Sequence, residues 1–144
     1  MYFSVGVETP EQPGTAFGIV VPALCGEAYG CYSAADTQAE IAPVARDAIL
    51  LLVEEMLQQG GCLPELIRDA GYRVYAAQPD YAAYDSWFVI DVDVLALEGK
   101  PQRINITLPD TLLQRIDNRV RTDNAYRDRS HFLAQAARRE LKAR

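Results

Sequence analysis

The sequence predicts an α+β chain in two parts, and three observations carry that prediction. Two or three short stretches with a period of two precede one long stretch with a period of three to four; a further alternating stretch follows; and the charge changes sign late in the chain. Residues 1–99 hold 3 Arg against 7 Asp and 8 Glu, a net charge of −12, whereas residues 100–144 hold 11 Lys and Arg against 5 acids, a net charge of +6. The boundary therefore falls between Gly99 and Lys100. An acidic part and a basic part suggest two partners of different electrostatic character, and about 45 residues hardly build a stable core unless they dimerise.

Composition narrows the class further. With 49% hydrophobic and 24% charged residues the chain is an ordinary globular sequence, which excludes disorder, collagen and fibres. No run reaches the ~18 apolar residues of a membrane span, and MYFSVGVETP lacks the basic flank and apolar core of a secretory signal, so a cytoplasmic protein with no membrane partner is expected. Cys25, Cys31 and Cys62 are an odd number without a CxxC pair, and buried free thiols are the expectation.

Along the chain, YFSVGV alternates Phe3, Val5 and Val7 against Tyr2, Ser4 and Gly6, the pattern of a half-buried strand. TAFGIVV predicts a second strand ending at Pro22, and a short third strand is expected near Tyr29–Tyr32. Thr37 and Glu40 have capping-box spacing, so a long helix should run from there to about Gln59, with Pro43 forcing a kink or a later true start. Ile41, Val44, Ala45, Ala48, Ile49, Leu52 and Met56 form its apolar face, and Gly60 and Gly61 end it. Residues 62–84 yield no firm assignment beyond a helical turn at PELIRDAG. WFVIDVDV is the clearest strand, with Asp91 and Asp93 on one side, and LEGKPQ reads as a linker.

Beyond the linker, RINITLP alternates Arg103, Asn105 and Thr107 against Ile104, Ile106 and Leu108. Pro109 and Asp110 then start a helix with Leu112, Leu113, Ile116 and Val120 inside and Arg115 and Arg119 outside. TDNAYRDR breaks it, and Ser130 is placed to cap a second helix with Leu133, Ala136, Ala137 and Leu141, joined by Phe132, on its inner face. One such strand cannot stand alone. Two from two chains would pair antiparallel, with Ile104, Ile106 and Leu108 as the dimer core, and project Arg103, Asn105 and Thr107 in duplicate toward base edges in the major groove of double-stranded DNA. Arg127, Arg129 and Ser130, at a helix start, would anchor phosphates.

This strand-helix-helix order over residues 103 to about 141 resembles the ribbon-helix-helix family of DNA-binding proteins. Strands, one long helix and WFVIDVDVLALEGK leading into RINITLP resemble the HicB antitoxins of bacterial toxin-antitoxin pairs. That resemblance implies an N-terminal partial RNase H-like antiparallel sheet with one long helix, residues 1–99, which binds a small basic HicA-like RNA-cleaving toxin. It also implies a ribbon-helix-helix module, residues 100–144, which dimerises or forms a higher oligomer and represses the shared operon. One loop departs from the family: where a Pro-Gly-Cys-like turn is usual, this chain reads VPALCGEAYGC. The residues that touch the toxin are not legible.

Two other readings are weighed against this one. A metal-dependent nuclease would need Glu8, Glu40, Asp91 and Asp93 to converge on Mg²⁺, but Glu40 is explained by the capping box and Glu8 borders a turn. A stand-alone regulator would need a ligand-sensing domain, yet no GxGxxG, P-loop, HExxH or nucleophile elbow occurs, and no cofactor is expected. His131, the lone histidine, is read as solvent-facing. Tyr72, Tyr75, Tyr81 and Tyr84 have Arg73 as their one basic neighbour, which favours packing or partner contact over base stacking.

Overall fold

A computed structural model describes residues 1–60 and 64–142. The chain divides into two compact units with a boundary between Gly99 and Lys100. The first unit is built on four antiparallel strands in the order β3-β2-β1-β4: β1 (Tyr2–Glu8), β2 (Phe17–Val20), β3 (Tyr32–Ala35) and β4 (Ser86–Asp91). Helix α1 (Ile41–Gln58) lies on one face and the short helix α2 (Tyr72–Ala76) meets β1 and β4.

The capping box forms as its spacing predicts, with the Glu40 carboxylate accepting the Thr37 backbone N–H at 3.0 Å. It closes a 3-10 turn, Gln38–Glu40, and regular helix begins at Ile41. Pro43 thereby falls in the first turn, where its missing amide has no intrahelical partner to lose. Ile41, Ala45, Ile49, Val53 and Met56 are the buried stripe. They meet Phe3, Val5 and Val7 of β1, Ile19 of β2 and Ile90 of β4 in one core. Apart from Ala45, each such side chain removed from water contributes about 1.5–3 kcal/mol.

Strand β1 is covered on both faces, whereas its alternation predicts cover on one. Ser4 is buried, and its N–H and hydroxyl donate to the two oxygens of Asp69 at 2.7 and 2.8 Å. The Trp87 ring lies over Gly6, where an added Cβ would come within 2.8 Å of it. Tyr75, Tyr81, Tyr84 and Trp87 pack ring against ring with centroids 6.1–6.3 Å apart, which is packing rather than a row of free platforms.

Two strand boundaries differ from the sequence reading. β3 starts at Tyr32 instead of near Tyr29, because Gly26 and Tyr29 close a turn first, through an N–H to carbonyl bond of 2.8 Å. β4 stops at Asp91, so the two aspartates do not share a strand face; Asp93 instead accepts the Ala96 N–H of a 3-10 turn at 3.3 Å. In the stretch left unassigned, Pro64–Leu66 and Pro79–Tyr81 form 3-10 turns on either side of α2. Cys31 is buried and Cys25 half-buried, both free thiols. Cys62 lies outside the described residues, as does Gly61. Burial, and then the neighbouring Cys25, push the Cys31 thiol up to about 12.

Thr9, just past β1, donates its N–H and hydroxyl to Asp85 at 2.7 and 2.8 Å, and these bonds hold that carboxyl below the ordinary range. A carboxyl whose folded value is lowered contributes stability that is complete above its unfolded value, near 3.9, and fades as pH falls through the folded value. Asp85→Ala is therefore expected to lower the melting temperature at pH 7. The gap from wild type should close in melts recorded below about pH 4; a gap unchanged from pH 7 to pH 3 would mean the charge is not what stabilises.

Candidate nucleic-acid interface

In the second unit, residues 101–109 belong to neither helix nor strand, so the strand predicted over Arg103–Leu108 is not formed by a single chain. The physical reason is simple: a ladder needs a second strand, and among the described residues this segment has none. Arg103, Asn105 and Thr107 are exposed, as the reading requires, but so are their apolar alternates. Ile104 is 74% and Ile106 56% exposed, and Leu108 is half-buried.

Helix α3 (Asp110–Thr122) starts after Pro109. Ile116 is buried, Leu113 and Val120 are half-buried, Leu112 stays exposed, and Arg115 and Arg119 face outward. The turn that follows is tied by Asp123, whose carboxylate accepts the Ala125 N–H at 3.0 Å. It presents Tyr126, which is buried with its ring against Phe132, centroids 4.9 Å apart. This turn residue anchors the helix pair, a role that periodicity could not reveal because it lies outside both helices.

Helix α4 (Arg129–Lys142) begins two residues before the expected start of its regular part. Its cap is Asp128, whose carboxylate accepts the His131 N–H at 2.8 Å; Ser130 is the second residue inside the helix and not the cap. Both residue types cap helices well, and the sequence offers both within three positions. Arg129 is bidentate on Asp117, with bonds of 3.0 and 2.8 Å, which lower the Asp117 carboxyl and raise the Arg129 guanidinium. The planar fork is thus already engaged within the chain, whereas Arg127 is exposed. His131 is half-buried against Tyr126 rather than solvent-facing. Its Nδ1 accepts the Arg127 N–H at 3.3 Å.

The expected inner face of α4 is incompletely covered. Phe132 and Leu133 are half-buried, but Ala136 and Ala137 are exposed and Leu141 is 79% exposed. Together with Leu112, Ile116 and Tyr126, residues Phe132, Leu133 and Ala136 line an open apolar groove of about 600 Å³.

The four carboxylates of the nuclease reading are not brought together. Tyr2 pairs with Asp91 and Glu8 lies six residues further along β1, about 20 Å away at ~3.3 Å per residue. Glu40 is engaged in the capping box, Asp93 in its turn, and the Asp91 carboxylate takes the terminal ammonium of Met1 at 2.8 Å. Among the described residues no group of three or more His, Cys, Asp or Glu is arranged to hold a metal ion, and no helix is long and apolar enough to cross a membrane.

The sheet with its helix, followed by a two-helix unit, is matched along nearly the whole chain by a family model described as "HicB_like antitoxin of bacterial toxin-antitoxin system", over residues 3–137. The chain belongs to that family of antitoxins. It resembles the crystal structure of the Burkholderia pseudomallei antitoxin HicB with a TM-score of 0.55 and 30% identity, covering 99% of this chain and 98% of that one. A chain of the HicA3 and HicB3 toxin-antitoxin complex shares the fold at 20% identity and a TM-score of 0.50, over 65% of this chain and 99% of its own length. An uncharacterized 14.9 kDa protein from the rep-hol intergenic region of Haemophilus phage HP1 is 40% identical over 112 residues, 78% of this chain and 81% of that protein.

The capping assignment yields a direct check. Asp128→Ala is expected to cost about 1 kcal/mol in denaturant unfolding, whereas Ser130→Ala stays within ~0.5 kcal/mol of wild type. The reverse order would return the cap to Ser130.

Proposed function

We propose that this antitoxin neutralises a basic HicA-like mRNA-cleaving toxin through residues 1–99, and represses its operon by binding double-stranded operator DNA through residues 100–144. Its mechanism is binding, not chemistry, and it works in the cytoplasm where operator and toxin are found. The first half of the reading is supported by family membership, by the net charge of −12 on residues 1–99, and by a fold shared with a chain solved in complex with HicA3. An acidic surface attracts a basic protein and repels RNA.

One observation carries the second half: Ile104 and Ile106 stand exposed, alternating with Arg103, Asn105 and Thr107, in a segment that has no partner strand among the described residues. Keeping isoleucines exposed to water at alternate positions costs free energy, and a second copy of the same segment would cover them. The groove lined by Leu112, Phe132 and Leu133 would be covered by the same event, giving a ribbon-helix-helix dimer or higher oligomer. The ribbon would then present Arg103, Asn105 and Thr107 to base edges, while exposed Arg127 and Ser130, in the first turn of α4, meet phosphates. Arg129 contributes to phosphate anchoring only as far as it can be shared with Asp117.

Three measurements test this. Sedimentation and operator mobility shift of Ile104→Asp with Ile106→Asp should show smaller particles and no operator complex; unchanged particles that still shift DNA would remove the ribbon. Asn105→Ala should relax operator choice, each lost base contact being worth about 1–3 kcal/mol, without altering toxin neutralisation. In wild type, log K should fall with log salt by ~0.9 for each phosphate neutralised. A salt-independent affinity would exclude the phosphate anchors.

A further inference from the structure

The two edges of the sheet differ in how they are protected. Proteins blunt edge strands with charge, proline or cover, because open backbone groups invite another strand. β4 ends at Asp91, which is bonded to the Met1 ammonium. β3 is Tyr-Ser-Ala-Ala, with neither charge nor proline, and it is the other end of the sheet.

The hydrogen-bond phase identifies which backbone groups of β3 are open. Val21 donates its N–H to the Cys31 carbonyl at 3.0 Å, so this pair is a bonded one. Antiparallel pairs alternate between bonded and non-bonded. With Val20 opposite Tyr32, Ile19 opposite Ser33 and Gly18 opposite Ala34, the Tyr32 and Ala34 positions are non-bonded toward β2. Their N–H and C=O groups therefore face away from the sheet, two donors and two acceptors along an open edge.

Beside this edge runs a groove of about 480 Å³ between β3 and α1. Val44, Ala48, Leu51 and Leu52 give it an apolar floor, and Leu51 is 68% exposed. Asp47 and Glu55 flank Leu51 four residues to either side on α1, and no basic residue among the described residues lines the groove. A strand laid against β3 would send alternate side chains over this floor and these carboxylates.

We infer that β3 and the α1 groove receive a β-forming segment of the toxin that is both basic and apolar, added to the sheet as a fifth strand. The inference rests on the antitoxin reading and locates its contact surface. Charge decides the occupant: a second copy of residues 1–99 would bring another −12 and a second Asp47 and Glu55 to the same edge, whereas a basic segment is attracted. Backbone pairing supplies affinity, and Leu51 between its two carboxylates supplies the preference for alternating apolar and cationic side chains.

The test uses the full-length protein and a catalytically inactivated HicA-like toxin encoded beside it, titrated by calorimetry. Ala34→Pro removes one outward N–H and leaves the bonded pairs with β2 in place; Asp47→Lys reverses one flanking charge on an exposed helix position. Each is expected to weaken toxin binding tenfold or more, while Val89→Ser on the opposite edge strand changes it less than twofold. Should Ala34→Pro fail to fold by circular dichroism, Asp47→Lys and hydrogen exchange decide: the Tyr32 and Ala34 amides of wild type should become protected when toxin binds. Wild-type binding with unaffected variants, or with those amides still exchanging freely, overturns the docking edge and leaves the antitoxin reading standing. Absence of wild-type binding overturns that reading itself. If Ala34→Pro abolishes self-association and not toxin binding, the edge belongs to a second copy and the inference is wrong.

Discussion

Everything in residues 1–99 depends on keeping β1 dry on both sides. One face gives Phe3, Val5 and Val7 to α1, and the other is closed by Trp87 over Gly6 and by Asp69 on Ser4. Asp69 also accepts the Gly71 N–H at 2.8 Å, in a turn where Gly71 adopts a φ of +93° that other residues rarely take. A polar strand face can be buried here because each hydroxyl and amide meets a carboxylate; unmatched, each such group would cost about 1–3 kcal/mol. The central strand is thereby fixed in register, and the free edge of β3 inherits its position from it.

The basic unit follows the opposite principle. Its two helices bury Ile116 and Tyr126 and hold together through a two-bond Asp117–Arg129 clasp, yet they leave the isoleucines before α3 and much of α4 in water. One chain thus carries a part that buries its apolar residues and a part that leaves several of them exposed, with the sign of the charge changing where one gives way to the other.

Much of the first unit was legible because strong local signals agreed with the tertiary result. The capping box, the three-to-four spacing of α1 and the alternation of β1 and β4 each follow from elementary geometry. Pro43 even specified where regular helix could begin. The second face of β1 was not legible, since Ser4 and Gly6 are types that usually face solvent and only Asp69 and Trp87, distant in sequence, explain them. β3 slipped because the Gly26–Tyr29 turn consumes residues that look strand-like. At the basic unit the polar and apolar alternation was readable, but the cap went to Asp128 because the sequence cannot rank two good caps, and Tyr126 hid in a segment read as a break. Arg129 looked available until Asp117, twelve residues away, was seen to hold it.

The buried thiol has a practical corollary. With its titration pushed up to about 12 by burial, Cys31 stays a protonated thiol at neutral pH. Peroxide and alkylating reagents act on accessible thiolate, so of the two the half-buried Cys25 is the one that a maleimide dye would reach first.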